Sequence, residues 1–94
     1  MEACEVVAER QRNRVVRCQW KFVAVAVEPR GRRVIAESPP FWSGCAGPAN
    51  RRGERDELDG FLGDLDRIGW KSMGRDLDQE RWHHRRLYRP AGKG

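Results

Sequence analysis

The fold of this chain is decided by residues 15–27, which read VVRCQWKFVAVAV. Every second position of this stretch carries an apolar or small side chain: Cys18, Trp20, Phe22, Ala24 and Ala26. Because successive side chains of a strand point to opposite faces, the alternation predicts a half-buried strand. The opposite face begins polar, with Arg17, Gln19 and Lys21, and then turns apolar at Val23, Val25 and Val27. That end of the second face therefore needs a cover or forms an apolar patch.

A hairpin follows this strand. The sequence Glu28-Pro29-Arg30-Gly31 predicts a turn, since proline presets φ and the glycine after it tolerates positive φ. Residues 33–38 return as a second strand, which Pro39-Pro40 ends because proline donates no ladder hydrogen bond. Residues 39–53, rich in Pro, Gly and small side chains, are predicted to form a long loop.

An amphipathic helix is predicted over residues 54–68. Its apolar stripe consists of Leu58, Phe61, Leu62, Leu65 and Ile68. Acidic residues open it, where the helix dipole favours negative charge, and Gly69 suits the position just past its end. The stripe is expected to cover the strand face that carries Trp20, Phe22, Ala24 and Val34.

Two further strands, at residues 70–73 and 81–89, complete a β-β-α-β-β order across a connection at residues 74–80. This order predicts an α+β two-layer sandwich, a mainly antiparallel sheet with one amphipathic helix on one face. The single domain spans residues 15–90. Residues 1–14 are placed outside it as a charged segment that could remain disordered, and residues 91–94 as a tail. In the last strand, Trp82, His84, Arg86 and Tyr88 fall on one face and Leu87 falls on the other, so the apolar residues do not share a face. A bulge would resolve that conflict.

Composition indicates a soluble globular protein. The 94 residues include 38% hydrophobic side chains and four tryptophans, enough for one core. Residues 1–14 lack the apolar stretch of a signal peptide, and the longest apolar run, residues 22–27, is far too short to cross a bilayer. Three widely spaced cysteines, Cys4, Cys18 and Cys45, argue against a disulfide framework and suit a reducing compartment. We therefore expect a cytoplasmic protein with no membrane partner, in which Cys18 is simply a buried small residue.

The net charge of +5 is unevenly distributed along the chain. Residues 1–53 hold ten basic and five acidic side chains, residues 54–66 one and six, and residues 67–94 eight and three. Arginine dominates the basic set, which suits contacts to phosphate or carboxylate but equally fits the coding bias of a source genome. One hypothesis is therefore nucleic-acid binding on a basic, aromatic sheet face, with these candidate residues: Arg17, Lys21, Trp82, Arg85 and Arg86.

The favoured hypothesis is a non-enzymatic protein-interaction or accessory module, acting on a protein partner or a second copy of itself. Its candidate residues are Phe41 and Trp42 in the long loop, with Val23 and Val25 at the apolar end of the sheet. Aromatic side chains dominate interface hot spots, although Phe41 and Trp42 could instead close the core. A third hypothesis is a small-molecule pocket between the loop and the helix, which a cavity lined by Trp42 and Trp70 would support.

Catalytic and metal chemistry find little support in the sequence. The adjacent His83 and His84 would point to opposite faces of a strand and could not chelate one ion. Nothing orients a base toward Ser43 or Cys45. The spacing of the glycines matches neither the Walker motif nor the dinucleotide-binding motif. No catalytic residue, metal ligand or cofactor is predicted.

Several short motifs carry a resemblance. They are Cys18-x-Trp20, the run Ile35-Ala36-Glu37-Ser38-Pro39 with Phe41, a helix running into Gly69-Trp70, and a closing Trp82 strand. Over roughly residues 15–90 the chain resembles small uncharacterised proteins of high-GC bacteria. The resemblance implies the domain boundaries and no activity.

Overall fold

The computed structural model describes residues 1–13, 16–29, 31–76 and 81–90. Within these ranges the chain forms six strands and one helix. Their bounds in chain order are β1 (Glu2–Asn13), β2 (Cys18–Ala26), β3 (Val34–Glu37), β4 (Phe41–Ser43), α1 (Arg52–Arg67), β5 (Lys71–Asp76) and β6 (Arg85–Arg89). The predicted tail, residues 91–94, lies outside the described residues, as does part of the predicted connection between the last two strands.

The strands form one antiparallel sheet in the order β3-β2-β1-β6-β5, and β4 also pairs with β2. β3 and β4 lie along the same edge of β2, one beside each half of it. Pro39 and Pro40 separate them, since neither can donate a ladder hydrogen bond. The α+β class, the mainly antiparallel sheet and the helix are as predicted.

The helix α1 packs on one face of this sheet. Leu58, Phe61 and Leu65 are buried against Phe22 of β2 and Val6 of β1 in a single core cluster. The helix ends with Gly69 at a φ of 97°, a conformation that glycine adopts without strain. The Gly69 N–H donates to Asp66 O and the Trp70 N–H to Leu65 O, both at 3.0 Å, which is the Schellman pattern of hydrogen bonds. Gly69 therefore ends the helix as predicted, whereas Ile68 points away from the stripe and is 55% exposed.

The N-terminal segment differs most from the sequence prediction. Residues 1–14 were expected to lie outside the domain, yet Glu2–Asn13 forms the longest described strand, and it lies between β2 and β6. Buried Cys4 and Val6 stand at even positions and Glu5 and Glu9 at odd positions, so the segment has the period-2 pattern of a strand in spite of its many charged residues. Glu5 and Glu9 lie on the sheet face that the helix does not cover, where each pairs with an arginine.

The predicted side-chain directions in β3 and the predicted start of β6 were also wrong. The register of β3 against β2 shifts between Ala24 and Val25, which turns Ala36 toward the core and Val34 to the opposite face. The final strand begins only at Arg85, because residues 81–84 form a turn in which the His84 N–H donates to Arg81 O. Trp82 therefore does not share the alternation of β6, and the predicted conflict with Leu87 disappears.

The cysteines are also not arranged as expected. Cys18 and Cys45 form a disulfide with Cα atoms 5.0 Å apart, and Cys4 is a buried free thiol. The prediction from spacing was wrong because the two cysteines are 27 residues apart in sequence and meet only when the loop after β4 folds back onto the start of β2. Cys18 is fully buried, as expected, but as half of a covalent link.

Candidate functional site

The sheet face opposite the helix, called here the open face, carries paired charges. Three ion pairs on it join different strands or a strand and the β2–β3 turn. Arg86 Nη2 lies 2.6 Å from Glu5 Oε1, Lys21 Nζ lies 2.5 Å from Glu37 Oε1, and Arg32 pairs with Glu9. Each joins residues from separate parts of the chain, and two of them neutralise glutamates of β1.

The Glu5–Arg86 pair is the most central of these. Glu5 and Arg86 are cross-strand neighbours in the register of β1 and β6. The hydrogen bond from Arg86 lowers the pKa of Glu5, and the same bond raises the pKa of Arg86. His84 Nε2 lies 3.7 Å from the other carboxylate oxygen. Glu5 is thus held ionised between two nitrogen-bearing side chains.

At one end of the open face lies an apolar cluster, called here the valine patch, formed by Val7, Val25, Val27 and Val34. Val25 and Val34 are paired across β2 and β3, and Val27 follows the end of β2, where its N–H donates to Ala3 O. Val27 is 49% exposed and Val34 40% exposed. A shallow cleft of about 330 Å³ runs over Val7, Val25 and Val27 between Glu5 and Glu28. The patch is apolar surface at the end of a sheet, with carboxylates beside it.

The four side chains predicted to bind a partner are not gathered in one place. Val25 lies in the valine patch, but Val23 is completely buried beneath the charged layer of the open face. Phe41 turns to the helix side and packs on Phe22, with ring centroids 4.9 Å apart. Trp42 is 37% exposed and paired with Gln19, six residues along β2 from Val25, about 20 Å away at the rise of a strand.

The five predicted nucleic-acid residues are divided between the two faces. Lys21 and Arg86 lie on the open face, each in an ion pair with a glutamate. Arg85 is paired with Val6 and so lies on the helix side, and Trp82 packs edge-on against Phe22 with ring centroids 6.0 Å apart. Arg17 is exposed just before β2. The expected single basic and aromatic surface is therefore not formed by this set.

Sequence reasoning missed two members of the valine patch. Val7 was overlooked because β1 was not recognised, and Val34 was assigned to the core because the register shift at Val25 has no signature in the sequence. The period-2 pattern of residues 4–9 could have identified β1, and with it Val7.

Among the described residues, no three His, Cys, Asp or Glu side chains lie close enough together to hold a metal ion. The same part of the chain contains no helix with the length and apolar character needed to cross a membrane. Comparisons with protein-family models, with curated proteins and with solved structures found no match. The resemblance to small proteins of high-GC bacteria stays a prediction.

Proposed function

We propose that this protein is a non-enzymatic binding domain whose partner is a protein, in the first instance a second copy of the same chain, docked through the valine patch. The observation that carries this proposal is the exposure of Val27 and Val34, which both neighbour Val25, at the end of a sheet face that no described helix covers. Apolar centres with polar surroundings are typical of protein interfaces.

The charges around the patch favour a protein over a polyanion. Four carboxylates and four basic side chains are paired there: Glu5 with Arg86, Glu9 with Arg32, Glu37 with Lys21, and Glu28 with Arg33. The charges of these eight described side chains sum to zero, although the whole chain carries +5. A surface with equal numbers of both signs can complement itself in a two-fold dimer, because each acidic group can meet a basic group of the other copy.

Analytical ultracentrifugation over a range of concentrations tests the proposal. The 10.9 kDa chain should sediment as a reversible dimer, with a dissociation constant on the order of micromolar given so small an apolar centre. Val27→Lys and Val34→Lys each place a charge in that centre and should raise the dissociation constant at least tenfold, roughly the effect of 1.4 kcal/mol.

Ile68→Lys is the matched control. Ile68 is also an exposed apolar residue, but it lies at the end of α1 on the other side of the molecule. Its substitution should leave the dissociation constant unchanged. A chain that stays monomeric up to about 1 mM, or a dimer that Ile68→Lys weakens as much as Val27→Lys, would contradict the proposal.

We infer a second candidate function, binding of single-stranded nucleic acid, from the far end of the open face. The strand register places Arg12, Gln19 and Trp42 in one row across β1, β2 and β4. A guanidinium near an exposed indole is the combination that neutralises phosphates and stacks bases. This set differs from the predicted one, of which Arg17 and Lys21 lie nearby.

Quenching of tryptophan fluorescence by mixed-sequence single-stranded DNA and RNA, at about 50 mM and about 200 mM salt, tests this candidate. Saturable quenching that weakens with salt and is lost in Trp42→Phe supports it. A flat titration at low salt rejects it and leaves the arginines to solubility or genome bias.

The cellular compartment bears on both candidates. The predicted cytoplasmic location rested partly on the absence of a disulfide, and Cys18 and Cys45 are bonded. Disulfides persist mainly in oxidising compartments, so that support is withdrawn. Thiol alkylation of the protein in its native host, followed by mass spectrometry, would establish the redox state of the pair and test the location.

A further inference from the structure

A cleft lies on the helix side of the sheet, between α1 and the two strands β5 and β6. It has a volume of about 310 Å³ and is called here the Trp70 cleft. Its described lining residues are Leu62, Gly63 and Asp66 of α1, Trp70 just before β5, Ser72 of β5, and Arg85 and Leu87 of β6. The valine patch lies on the opposite face of the sheet, so this site goes beyond the proposed function.

Two features of α1 leave this space open. The buried stripe of the helix packs on Phe22 of β2 and Val6 of β1 rather than on β5. Gly63, on the side of the helix that faces the cleft, has no side chain, and a Cβ added there would meet no neighbouring atom within 4 Å. Because glycine inside a helix is less favourable than alanine, the open space comes with a cost in helix stability.

Trp70 supplies the aromatic wall of the cleft and one hydrogen-bond donor. Its backbone N–H donates to Leu65 O at 3.0 Å, and the Arg89 guanidinium lies over its ring, 4.6 Å from the centroid. The residue is 1% exposed, and its indole Nε1 is buried without a hydrogen bond to any described residue. A buried N–H that lacks an acceptor is unfavourable, and a ligand with an acceptor would satisfy it.

The lining indicates an uncharged ligand. The surface of the cleft is mainly apolar, and its carboxylate, Asp66, is already paired with Lys71, whose Nζ lies 2.7 Å from Oδ1. One neutral N–H cannot compensate for the desolvation of an ion, but it matches a single carbonyl oxygen. The volume is at the lower end of the range for ligand pockets and suits a molecule of one ring.

We propose that the Trp70 cleft binds a small uncharged apolar molecule with one carbonyl oxygen, of which a cyclic ketone is the simplest example. Its ring packs against Leu62, Leu87 and the indole, and its oxygen accepts a hydrogen bond from Trp70 Nε1. Because solvent does not reach Nε1 in the present conformation, this bond requires a small shift of the lining side chains, for which the space beside Gly63 leaves room.

Chemical-shift titration of ¹⁵N-labelled protein tests the proposal, because each of the four tryptophans gives its own indole N–H signal. The probe is cyclohexanone, and methylenecyclohexane has the same shape without the carbonyl oxygen. Cyclohexanone should shift the Trp70 indole signal saturably, with a dissociation constant on the order of millimolar for so small a molecule. The signals of Trp20, Trp42 and Trp82 should stay in place. Methylenecyclohexane should bind about fivefold more weakly, the effect of one lost hydrogen bond.

Trp70→Phe separates the hydrogen bond from apolar packing. Phenylalanine keeps an aromatic ring and removes the N–H, so this variant should bind cyclohexanone and methylenecyclohexane equally well, as followed through the Gly63 backbone amide. A merely structural role of Trp70 would weaken both molecules and leave their ratio unchanged, which would contradict the proposal.

Gly63→Leu fills the cleft and should abolish the binding of cyclohexanone. Gly60→Leu is the matched control, because Gly60 is an exposed residue of the same helix that does not line the cleft. Leucine favours a helix more than glycine at both positions, so both variants should fold even if Trp70→Phe does not. Only Gly63→Leu should lose the shift of the Trp70 signal.

Four results would overturn the proposal. They are the absence of a saturable Trp70 shift in the native chain, equal affinity for methylenecyclohexane, tighter binding of cyclohexanecarboxylate than of cyclohexanone, and equal binding by the two leucine variants.

Discussion

Cys18 and Cys45 are joined across the sheet edge formed by β2 and β4, with their Cα atoms 5.0 Å apart and 27 residues of sequence between them. Ser43 lies directly opposite Cys18 in the register of these strands, so the bond fastens the residues just past β4 to the start of β2. The Trp20 hydrogen bond to Gly44 adds a second fastening at the same place. The two contacts thereby fix the end of β4 that is farther from the two prolines.

Removing this disulfide should lower the free energy of unfolding by about 3 kcal/mol, because a closed loop of this length restricts the unfolded chain. Cys45→Ala is the appropriate change, since Cys45 is half-buried and its truncation disturbs the core less than that of Cys18. Urea unfolding with and without dithiothreitol measures the effect. The reductant should destabilise the native chain and leave the Cys45→Ala variant unaffected. Alkylation of three cysteines in unreduced, unfolded protein would show that the bond is absent.

Ser38 is expected to be the most important polar residue of the β3 edge. Its buried Oγ accepts a hydrogen bond from the Phe22 N–H at 2.8 Å, and its own N–H donates to Phe22 O at 2.8 Å. Ser38→Ala leaves the Phe22 N–H without an acceptor and should cost about 1–3 kcal/mol in urea unfolding. Asn50→Ala, which truncates an exposed polar side chain in the loop before α1, is the control and should change stability by less than about 0.5 kcal/mol. Equal effects of the two substitutions would contradict this role.

The parts of the fold that local pattern controls were predictable. The alternation of β2, the stripe of α1 and the glycine after the helix all have signals within a few residues, and they placed the helix on the correct face of β2. β1 was missed because its charges were taken as a sign of disorder, although Glu2, Glu5 and Glu9 each pair with an arginine that is distant in sequence, as Glu5 does with Arg86. Composition cannot show such pairing.

The candidate sites depended more heavily on contacts between distant residues. The disulfide, the register shift that exposes Val34 and the turn that moves Trp82 to the helix side each require two segments to meet in space. Single-sequence reasoning therefore grouped Val25 and Trp42 in one candidate partner surface but could not tell that about 20 Å of charged surface separates them. It also named a pocket between the long loop and the helix, whereas a cleft lined by Trp20 and Trp82 lies between that loop and the residue 81–84 turn.

Replacement of Glu5 should make stability less dependent on acid pH. Because Arg86 lowers the pKa of Glu5 in the folded chain, the stabilisation is present above the unfolded value near 4.5 and is lost as the pH falls through the folded value. Glu5→Gln should therefore cost up to about 1 kcal/mol at pH 6 and less at pH 3, both groups being partly exposed. Glu28→Gln, which breaks a more exposed pair with Arg33, is the control and should have almost no effect at either pH. A Glu5→Gln deficit that grows on acidification would contradict the assignment.

Cys4 should make stability depend on alkaline pH in the opposite sense. The thiol is fully buried between β2 and β6, and burial raises its pKa to about 11 from a usual value of 9.0. Because the pKa of the folded state lies above that of the unfolded state, the buried neutral thiol contributes fully to the free energy of unfolding below pH 9. This contribution is lost as the pH rises from 9 to 11.

Cys4→Ala separates this effect from the titration of other groups, which both chains share. The variant should be less stable than the native chain at pH 8 because it leaves a small cavity. Its deficit should shrink by roughly 2 kcal/mol as the pH rises to 11. The native chain then loses the stabilisation that comes from its neutral buried thiol, which the variant lacks at every pH. Urea midpoints at pH 8, 9.5 and 11 measure the difference. The folded protein should also resist a thiol reagent at pH 8 and react at one cysteine when unfolded; rapid labelling of the native state would show that Cys4 is accessible and that its pKa is not raised by burial.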